Sequence, residues 1–508
     1  MSRWAKIKKL LGLGKPEPPC PTEMSAAQAG AHPPHTQEVK KQTGVKTKEG
    51  IPSVVSSGTA TPAEGITGNK TPVTITVGLD FGTSTIKAIA TFKFPSLHKS
   101  PEQMVIPIGG QFCFPSVAYE QDTNLIVGEP LESCARVYRS VKVCLRCSAL
   151  KEKGCRNCFK NARLSAEIVS WAILYFAVLA VRSHILQRFP AETYTIDWTK
   201  DVERNMGIPL DGSEQMPLHK LFRDILWRAV QHGSDVQKCT RISELVGQYK
   251  SLQDDHCPPD EYSNCFIFPE ALVAVNAFLH SQQSIENGLY FICDVGAGTT
   301  DVAFFRFAQE IEKPIVFYGA SCERAGGDDF AHALAQVGSG GSVDPLSEER
   351  IRMVNEQLRN GLDWRKLGPP YRPNCPSVFK GVYDQILSGR ARAFHRAIKK
   401  ENVFRYWKDL QGAIIGGGSQ ITGVTDTCMD PLRTGAGDPQ QEYIYPDRMS
   451  FRPLSGLKNA TPLHWIAYGL SWPRAEFYEA WQPNEVDDWK FSPGEPYNPF
   501  PGGNPYEK

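Results

Sequence analysis

Two segments of the sequence share a pattern that strongly limits what this chain can fold into. GLDFGTSTIKAIA (residues 78–90) and CDVGAGTTDVAFF (residues 293–305) each run from a strand through an aspartate and a glycine turn into a second strand. Such a hairpin brings backbone N–H groups against phosphate oxygens, because glycine permits the tight turn and places no Cβ in the way. One copy could be an ordinary hairpin. Two copies favour a polyphosphate clamp in which Asp80 and Asp294 face a hydrated Mg²⁺.

The order of strands and helices predicts the fold class. A third strand and glycine turn follow at GAIIGGGSQI (residues 412–421), and helical periodicity covers residues 165–187, 218–231 and 347–360. Strands that alternate with helices indicate an α/β fold. The chain has 508 residues, and one hydrophobic core stops growing at roughly 300, so we expect at least two structural units.

The regions outside this α/β body are predicted from their composition. In residues 1–13, Trp4, Ile7 and Leu10 fall on one side of a helical wheel flanked by basic residues, which predicts a basic amphipathic helix. Residues 14–70 are predicted to be a disordered linker, and residues 473–508 a tail rich in proline and aromatic residues. The helix could anchor the chain on an anionic membrane surface, or it could be a solvated tail or a docking peptide for a protein.

Charge and hydropathy argue against several classes of protein. The 56 basic residues nearly balance the 55 acidic ones, so no nucleic-acid partner is expected. The longest apolar stretch, residues 168–181, is shorter than the roughly 20 residues of a membrane-spanning helix and predicts a buried helix. The N-terminal sequence lacks the pattern of a secretory signal, so we expect a cytoplasmic protein, free or peripheral at the inner face of a membrane.

The three glycine turns resemble the nucleotide motifs of the actin, hexokinase and 70-kDa heat-shock chaperone ATPases. GLDFGTSTIKAIA is similar to the first phosphate motif, DVGAGTTDVA to the second and IIGGGSQITGV to the adenosine motif. Three further segments are similar to the chaperone (DnaK-like) branch: RSVKVCL (139–145), AGGDDFAHAL (325–334) and TPLHWIAYGLSW (461–472). The resemblance implies an actin-like ATPase fold, with two ribonuclease-H-like lobes at residues 71–287 and 288–472 flanking a nucleotide cleft.

The resemblance also implies a role for each residue that matches a family motif. Asp80 and Asp294 would hold the hydrated magnesium, and Lys142 would stabilise charge near the γ-phosphate. The residues that would contact phosphate or adenosine are Gly82, Thr83, Ser84, Gly296, Gly298, Thr299, Gly326, Gly327, Gly416, Gly417 and Gly418. The implied ligands are therefore ATP or ADP with Mg²⁺.

The sequence departs from the family pattern at two positions. The family places a glutamate that orients the attacking water where this chain has Phe268, and Glu270 lies two residues later. A phenylalanine in that position would slow hydrolysis, because positioning contributes much of this chemistry. The adenosine motif carries Gln420 in place of an arginine that stacks on adenine, and Arg352 and Arg359 are weak substitutes.

Four closely spaced cysteines predict a metal site. Cys144, Cys147, Cys155 and Cys158 form the pattern C-x2-C-x7-C-x2-C within residues 144–158, inserted in the first lobe. Four thiolates at this spacing suit a tetrahedral structural zinc ion. The alternatives are an iron–sulfur cluster, a redox-active pair, or plain thiols.

The function that the resemblance implies is a DnaK-like ATPase body. Slow ATP hydrolysis would open and close the lobes. A protein partner would recognise the open and closed states, so the protein would act as a chaperone-like switch. Only residues 473–508 follow the last matched segment, so we expect the peptide-binding domain of the chaperones to be missing. The alternatives are a membrane-tethered actin-like filament protein and a nucleotide-binding pseudo-ATPase scaffold.

Overall fold

The computed structural model describes residues 70–481 apart from a set of gaps. The gaps are residues 98, 129–133, 135, 151–158, 160–161, 210–215, 232–238, 255, 260–262, 282–284, 310–312, 339–353, 359–376, 401–406, 434–442, 450–453, 455 and 479. The predicted basic helix, the predicted linker up to residue 69 and the predicted tail beyond residue 481 lie outside the described residues.

The strands of the described chain are listed here in sequence order. They are β1 (Thr71–Pro72), β2 (Thr74–Phe81), β3 (Thr85–Lys93), β4 (Glu102–Ile106), β5 (Phe114–Pro115), β6 (Ala118–Gln121), β7 (Asn124–Val127), β8 (Arg136–Tyr138), β9 (Tyr194–Thr195), β10 (Val202–Ile208), β11 (Cys239–Arg241), β12 (Cys265–Pro269), β13 (Gly288–Val295), β14 (Thr300–Phe307), β15 (Ile315–Glu323), β16 (Gln411–Ile415), β17 (Leu432–Arg433), β18 (Tyr443–Ile444), β19 (Asp447–Arg448) and β20 (Ala480–Trp481).

The helices are interspersed among these strands. They are α1 (Val141–Ala149), α2 (Ala166–Arg188), α3 (Met216–Gln231), α4 (Ile242–Ser251), α5 (Glu270–Ser281), α6 (Gly327–Gly338), α7 (Ser377–Lys400), α8 (Val424–Cys428) and α9 (Trp465–Leu470). Short 3₁₀ turns cover Gly417–Gln420, Pro462–His464 and Arg474–Glu476.

Two mixed sheets of six strands are built in the same way. In the first sheet β2, β3 and β4 form an antiparallel meander, and β10 and β12 extend it in parallel from the β2 side. In the second sheet β13, β14 and β15 form the meander, and β16 and β19 extend it in parallel from the β13 side. The prediction of an α/β fold is confirmed at this level, because helices and mixed sheets make up the described chain.

The strands that open the two meanders are buried almost from end to end. β2 has the sequence TITVGLDF and β13 the sequence GLYFICDV, and seven of the eight residues of each are buried. A strand covered on both faces reads as a continuous apolar run rather than as an alternation. This burial fixes the ends of β2 and β13, and therefore the aspartates that lie there.

Helix α2 fills the core beside the first sheet. Its length and composition would allow it to cross a membrane, but Trp171 and Tyr175 are fully buried and their rings stack. The predicted buried helix at residues 168–181 is therefore present. Among the other predicted helices, residues 218–231 fall in α3, and residues 347–360 lie largely outside the described chain.

Helices α5 and α9 pack against each other between the two sheets. α9 also contacts β2 and β3, while α5 contacts β13 and β14. The close approach depends on glycines: a Cβ on Gly78 of β2 would lie 2.4 Å from the carbonyl oxygen of Ala467, and one on Gly469 would lie 2.4 Å from that of Val273. The two sheets thus share one central helical layer.

The segment after α9 packs onto the fold. β20 pairs in parallel with β15 at the edge of the second sheet, and the Phe477 ring stacks on Phe268 at a centroid distance of 4.3 Å. Residues 473–478 and 480–481, which the sequence assigns to the tail, therefore contribute to the folded body.

Candidate functional site

The two predicted hairpins form, and they match in register. Asp80 on β2 lies opposite Lys87 on β3, and Asp294 on β13 lies opposite Asp301 on β14. The turns match as well, because the Gly82 N–H donates to the carbonyl oxygen three residues later at 3.0 Å, and the Gly296 N–H does so at 2.8 Å. These bonds occupy the amides of the two glycines. Each glycine therefore provides room for a close approach rather than a hydrogen-bond donor.

The tips of the two hairpins touch. A Cβ on Gly298 of the second turn would lie 2.7 Å from Cγ2 of Thr83 in the first turn. The contact explains why a glycine is needed at position 298, which the resemblance assigned to phosphate. The hairpins therefore meet from opposite sides of a single cleft.

The two hairpins border a cleft that is open to solvent. Its walls come from both sheets, from the third glycine turn and from the segment leading into α9. The residues that line it are Asp80, Gly82, Thr83, Ser84, Thr85, Lys87, Lys142, Glu270, Asp294, Gly296, Ala297, Thr299, Asp301, Gly327, Asn355, Gly416, Gly417, Gly418, Pro462, Leu463, Trp465 and Ile466.

The third glycine turn packs against the end of β13. Gly416 has a φ of 82°, and a Cβ there would lie 2.1 Å from Oδ1 of Asp294. A Cβ on Gly418 would lie 2.5 Å from Cγ1 of Val295. Glycine is thus required by both backbone conformation and space.

The glycine pair before α6 divides between two roles. The N–H groups of Gly327 and Asp328 donate to the carbonyl oxygens of Gly296 and Ala297 at 2.9 and 2.8 Å. Gly326 packs on the same backbone and is absent from the lining of the cleft, which Gly327 reaches. The second hairpin therefore occupies the amides of Gly327 and Asp328 at the start of α6. Gly326 makes a packing contact in the structure, where the resemblance implies a phosphate contact.

Lys142 and Glu270 form a buried ion pair inside the cleft. Lys142 comes from α1 and Glu270 is the first residue of α5, and both are almost fully buried. Burial acts to lower the pKa of Lys142, but the charges of Glu270 and Asp80 outweigh it and raise that pKa above its ordinary value. The lysine is therefore a permanent cation at neutral pH.

The position of Glu270 corrects the expectation drawn from Phe268. Phe268 ends β12 and stacks on Phe477 within the apolar cluster between the sheets, away from the cleft lining. Glu270, two residues later, turns into the cleft where α5 begins. A carboxylate two residues after the aligned position therefore lines the cleft and pairs with Lys142.

Acidic side chains outnumber lysines in the cleft. Asp80, Glu270, Asp294 and Asp301 face two lysines, Lys87 and Lys142, and the Lys87 Nζ lies 2.5 Å from Oδ2 of Asp80. Burial and the charge of Glu270 raise the pKa of Asp294 well above its ordinary value, and the same causes raise the pKa of Asp301 to about 7. Crowded, buried carboxylates of this kind mark functional sites.

Two of these charged residues, Lys87 and Asp301, were missed by the sequence reasoning. A signal for them was present, because each lies seven residues after the aspartate that opens its motif. A hairpin with a four-residue turn places such a pair side by side across the ladder, as observed for both. The spacing could have identified them.

The residues present fit a magnesium-bound polyphosphate. The four carboxylates of the cleft would favour a divalent cation. The two lysines and the room left by the glycine turns would favour phosphate oxygens. Hydrated magnesium also needs few direct protein ligands. In the part of the chain that the structure describes, no group of three or more His, Cys, Asp or Glu side chains could hold a metal ion directly. An ion held through water and phosphate is consistent with that finding.

The predicted zinc site is only half described. Cys144 and Cys147 lie on α1 and are buried, whereas Cys155 and Cys158 fall outside the described residues. Gln420 ends the 3₁₀ turn behind the cleft and does not line it, and Arg352 and Arg359 are also outside the description. The zinc ion and the adenine contacts stay predictions.

Comparison of the chain with protein-family models and with curated proteins finds no match.

Proposed function

We propose that this protein binds Mg-ATP in the cleft between two lobes of an actin-like ATPase fold and hydrolyses it slowly. The observation that carries the proposal is the meeting of two hairpins with the same turn and the same register, each with an aspartate as the next-to-last residue of a buried strand. Two such hairpins on opposite walls suit a chain of phosphates, which presents oxygens along its whole length.

The architecture supports the fold assignment. Both six-stranded sheets have the order of a meander extended by parallel strands, and a helix pair lies between them. Duplicated α/β units of this kind are what two ribonuclease-H-like lobes would present. The cleft at their junction is where a nucleotide would reach residues of both lobes.

The charged residues suggest how the chain would act on a bound nucleotide. Asp80 and Asp294 would hold hydrated magnesium, which when bound neutralises charge on the phosphates. Lys142 would stabilise the charge that develops on the terminal phosphate. Glu270, paired with that lysine, would accept a hydrogen bond from the attacking water and orient it.

Lobe motion would connect this chemistry to a partner. A ligand that contacts both hairpins favours the closed arrangement by its differential affinity for the two states. We propose that a protein partner recognises those states, as the resemblance to DnaK-like chaperones suggests. A membrane-tethered filament would instead sediment with ATP and anionic liposomes, and a pseudo-ATPase scaffold would bind ATP without turnover.

Ligand-dependent stability tests the proposal. Mg-ATP at one hundred times its Kd should raise the unfolding free energy by about 2.7 kcal/mol. Asp80→Asn and Asp294→Asn should each remove most of that gain in thermal unfolding, and turnover should fall with it. Asp122→Asn is the matched control, since Asp122 is an exposed turn residue with a φ of 54° that asparagine also tolerates. Full Mg-ATP stabilisation of both cleft variants would refute the site.

A further inference from the structure

Helix α1 carries a second basic side chain besides Lys142, that of Arg146. Arg146 lies one turn after Lys142, so the two side chains share a face of the helix. Arg146 is almost fully buried. The adjoining face of α1 places Val141, Cys144 and Leu145 in the core beside the first sheet.

The Arg146 guanidinium reaches the second sheet. Its Nη1 donates to the Cys322 sulfur at 3.0 Å, and Cys322 lies on β15. Asp294, Asp301 and Cys322 are neighbours in register across β13, β14 and β15. One row of side chains therefore leads from the candidate magnesium residue to a helix of the other half.

We propose that Arg146 is a positioning residue that clamps α1 to the second sheet through Cys322 and so fixes Lys142 over the cleft. The catalytic consequence rests on the proposed ATPase function, whereas the clamp itself does not.

Geometry explains why the clamp would matter. Lys142 is the second residue of a helix of only nine residues, and its start is not capped by a side chain. The core beside the first sheet holds Val141, Cys144 and Leu145 of α1, and Arg146 links the helix to the second sheet. An arginine suits this role because its planar donors hold a fixed geometry, which a lysine does not reproduce.

Hydrogen exchange and kinetics together test the clamp. Arg146→Met keeps an unbranched apolar side chain and removes the guanidinium donors. It should raise amide exchange in residues 141–149 about tenfold, because short helices open locally when a tertiary contact is lost. With ATP, kcat should fall about tenfold while KM changes less than twofold, since a displaced lysine acts mainly in the transition state. Arg163→Met, an exposed arginine on another segment, is the control.

Variants of the sulfur partner separate the clamp from general damage. Cys322→Ala should change exchange and kcat in the same direction as Arg146→Met, and Cys322→Ser should retain most of the wild-type exchange and kcat. The double variant Arg146→Met with Cys322→Ala should lose less than the sum of the two single changes, because the two changes share one contact. Should Arg146→Met fail to fold, Cys322→Ala and Arg146→Lys carry the same measurement.

The outcomes are distinct for the two proposals. Unchanged exchange in residues 141–149 for Arg146→Met or Cys322→Ala would overturn the clamp, whatever the ATP assays show. Faster exchange with unchanged kcat would overturn its role in placing Lys142. A wild-type protein that binds no ATP would refute the proposed function, and exchange alone would then decide the clamp.

Discussion

Which side chains line the cleft depends on where the chain changes direction, and a residue's position in a motif does not decide it. Phe268 and Glu270 illustrate this, because the aligned residue packs between the sheets while its neighbour two places on enters the cleft. The strand β12 ends at Pro269 and α5 begins at once, so the change of direction selects which side chain faces the lysine.

Glu270→Gln should test whether the Glu270 carboxylate orients the attacking water. The change keeps the shape of the side chain but removes the charge that pairs with Lys142, so turnover should fall about 100-fold. Phe268→Leu should leave turnover within about twofold and cost about 1 kcal/mol of unfolding free energy, since it exchanges one apolar side chain for another. Steady-state ATP hydrolysis and urea unfolding measure both. Turnover of Glu270→Gln within twofold of wild type would contradict the role of Glu270.

At the level of secondary-structure elements, close packing sets which glycines are indispensable. Gly78 does not belong to any turn, yet it lies where α9 crosses β2. A Cβ on Gly78 would come within 2.7 Å of three backbone atoms, from Ala467, Leu470 and Ser471. Backbone cannot yield as the end of a flexible side chain does, so the helix would have to move.

Gly78→Ala should therefore lower the unfolding free energy by about 1–3 kcal/mol, the usual cost of overpacking. Gly247→Ala provides the matched control, because Gly247 lies within α4 with open space around it. That change should raise the unfolding free energy by about 1 kcal/mol, the helix-propensity difference. Urea unfolding of both variants measures the contrast. Equal effects would show that α9 does not pack on β2 as described.

For the whole molecule, bringing two sheets together concentrates charge. Asp80 and Glu270 come from the first sheet and the helix after it, and Asp294 and Asp301 come from the second sheet. In the absence of a cation, burial and this crowding oppose ionisation of Asp294 and Asp301 and raise their pKa.

The pH dependence of stability should report that crowding. Burial raises the pKa of Asp301 to about 7 in the folded protein, from an ordinary value of 3.8. The folded state therefore holds a proton that the unfolded state releases, so this group's stabilising contribution is lost as pH rises from about 4 to about 7. Asp301→Asn should gain stability relative to wild type between pH 5 and pH 7, by on the order of 2 kcal/mol.

Urea unfolding in magnesium-free buffer at several pH values measures this difference. Asp254→Asn is the control, since Asp254 is exposed and lies outside the cleft. A constant offset between wild type and Asp301→Asn across pH 5–7 would contradict the prediction.

Features that depend on residues close together in the sequence could be predicted, whereas contacts between distant segments could not. The hairpins at Asp80 and Asp294 were predicted because a strand, a turn and a returning strand are encoded within about a dozen consecutive residues. The clash of a Cβ on Gly298 with Thr83 and the hydrogen bonds that Gly327 donates to the second hairpin join distant segments. Local patterns carry no information about such contacts.

The sequence by itself therefore determined the α/β class, the two hairpins, the third glycine turn and the aspartates that they present, because these depend on local backbone conformation and burial. Only the tertiary structure decided that Glu270 rather than Phe268 faces Lys142, that Gly326 packs on a hairpin, and that Arg146 reaches Cys322. The physical reason is that charge pairing and close packing depend on which segments the fold brings together.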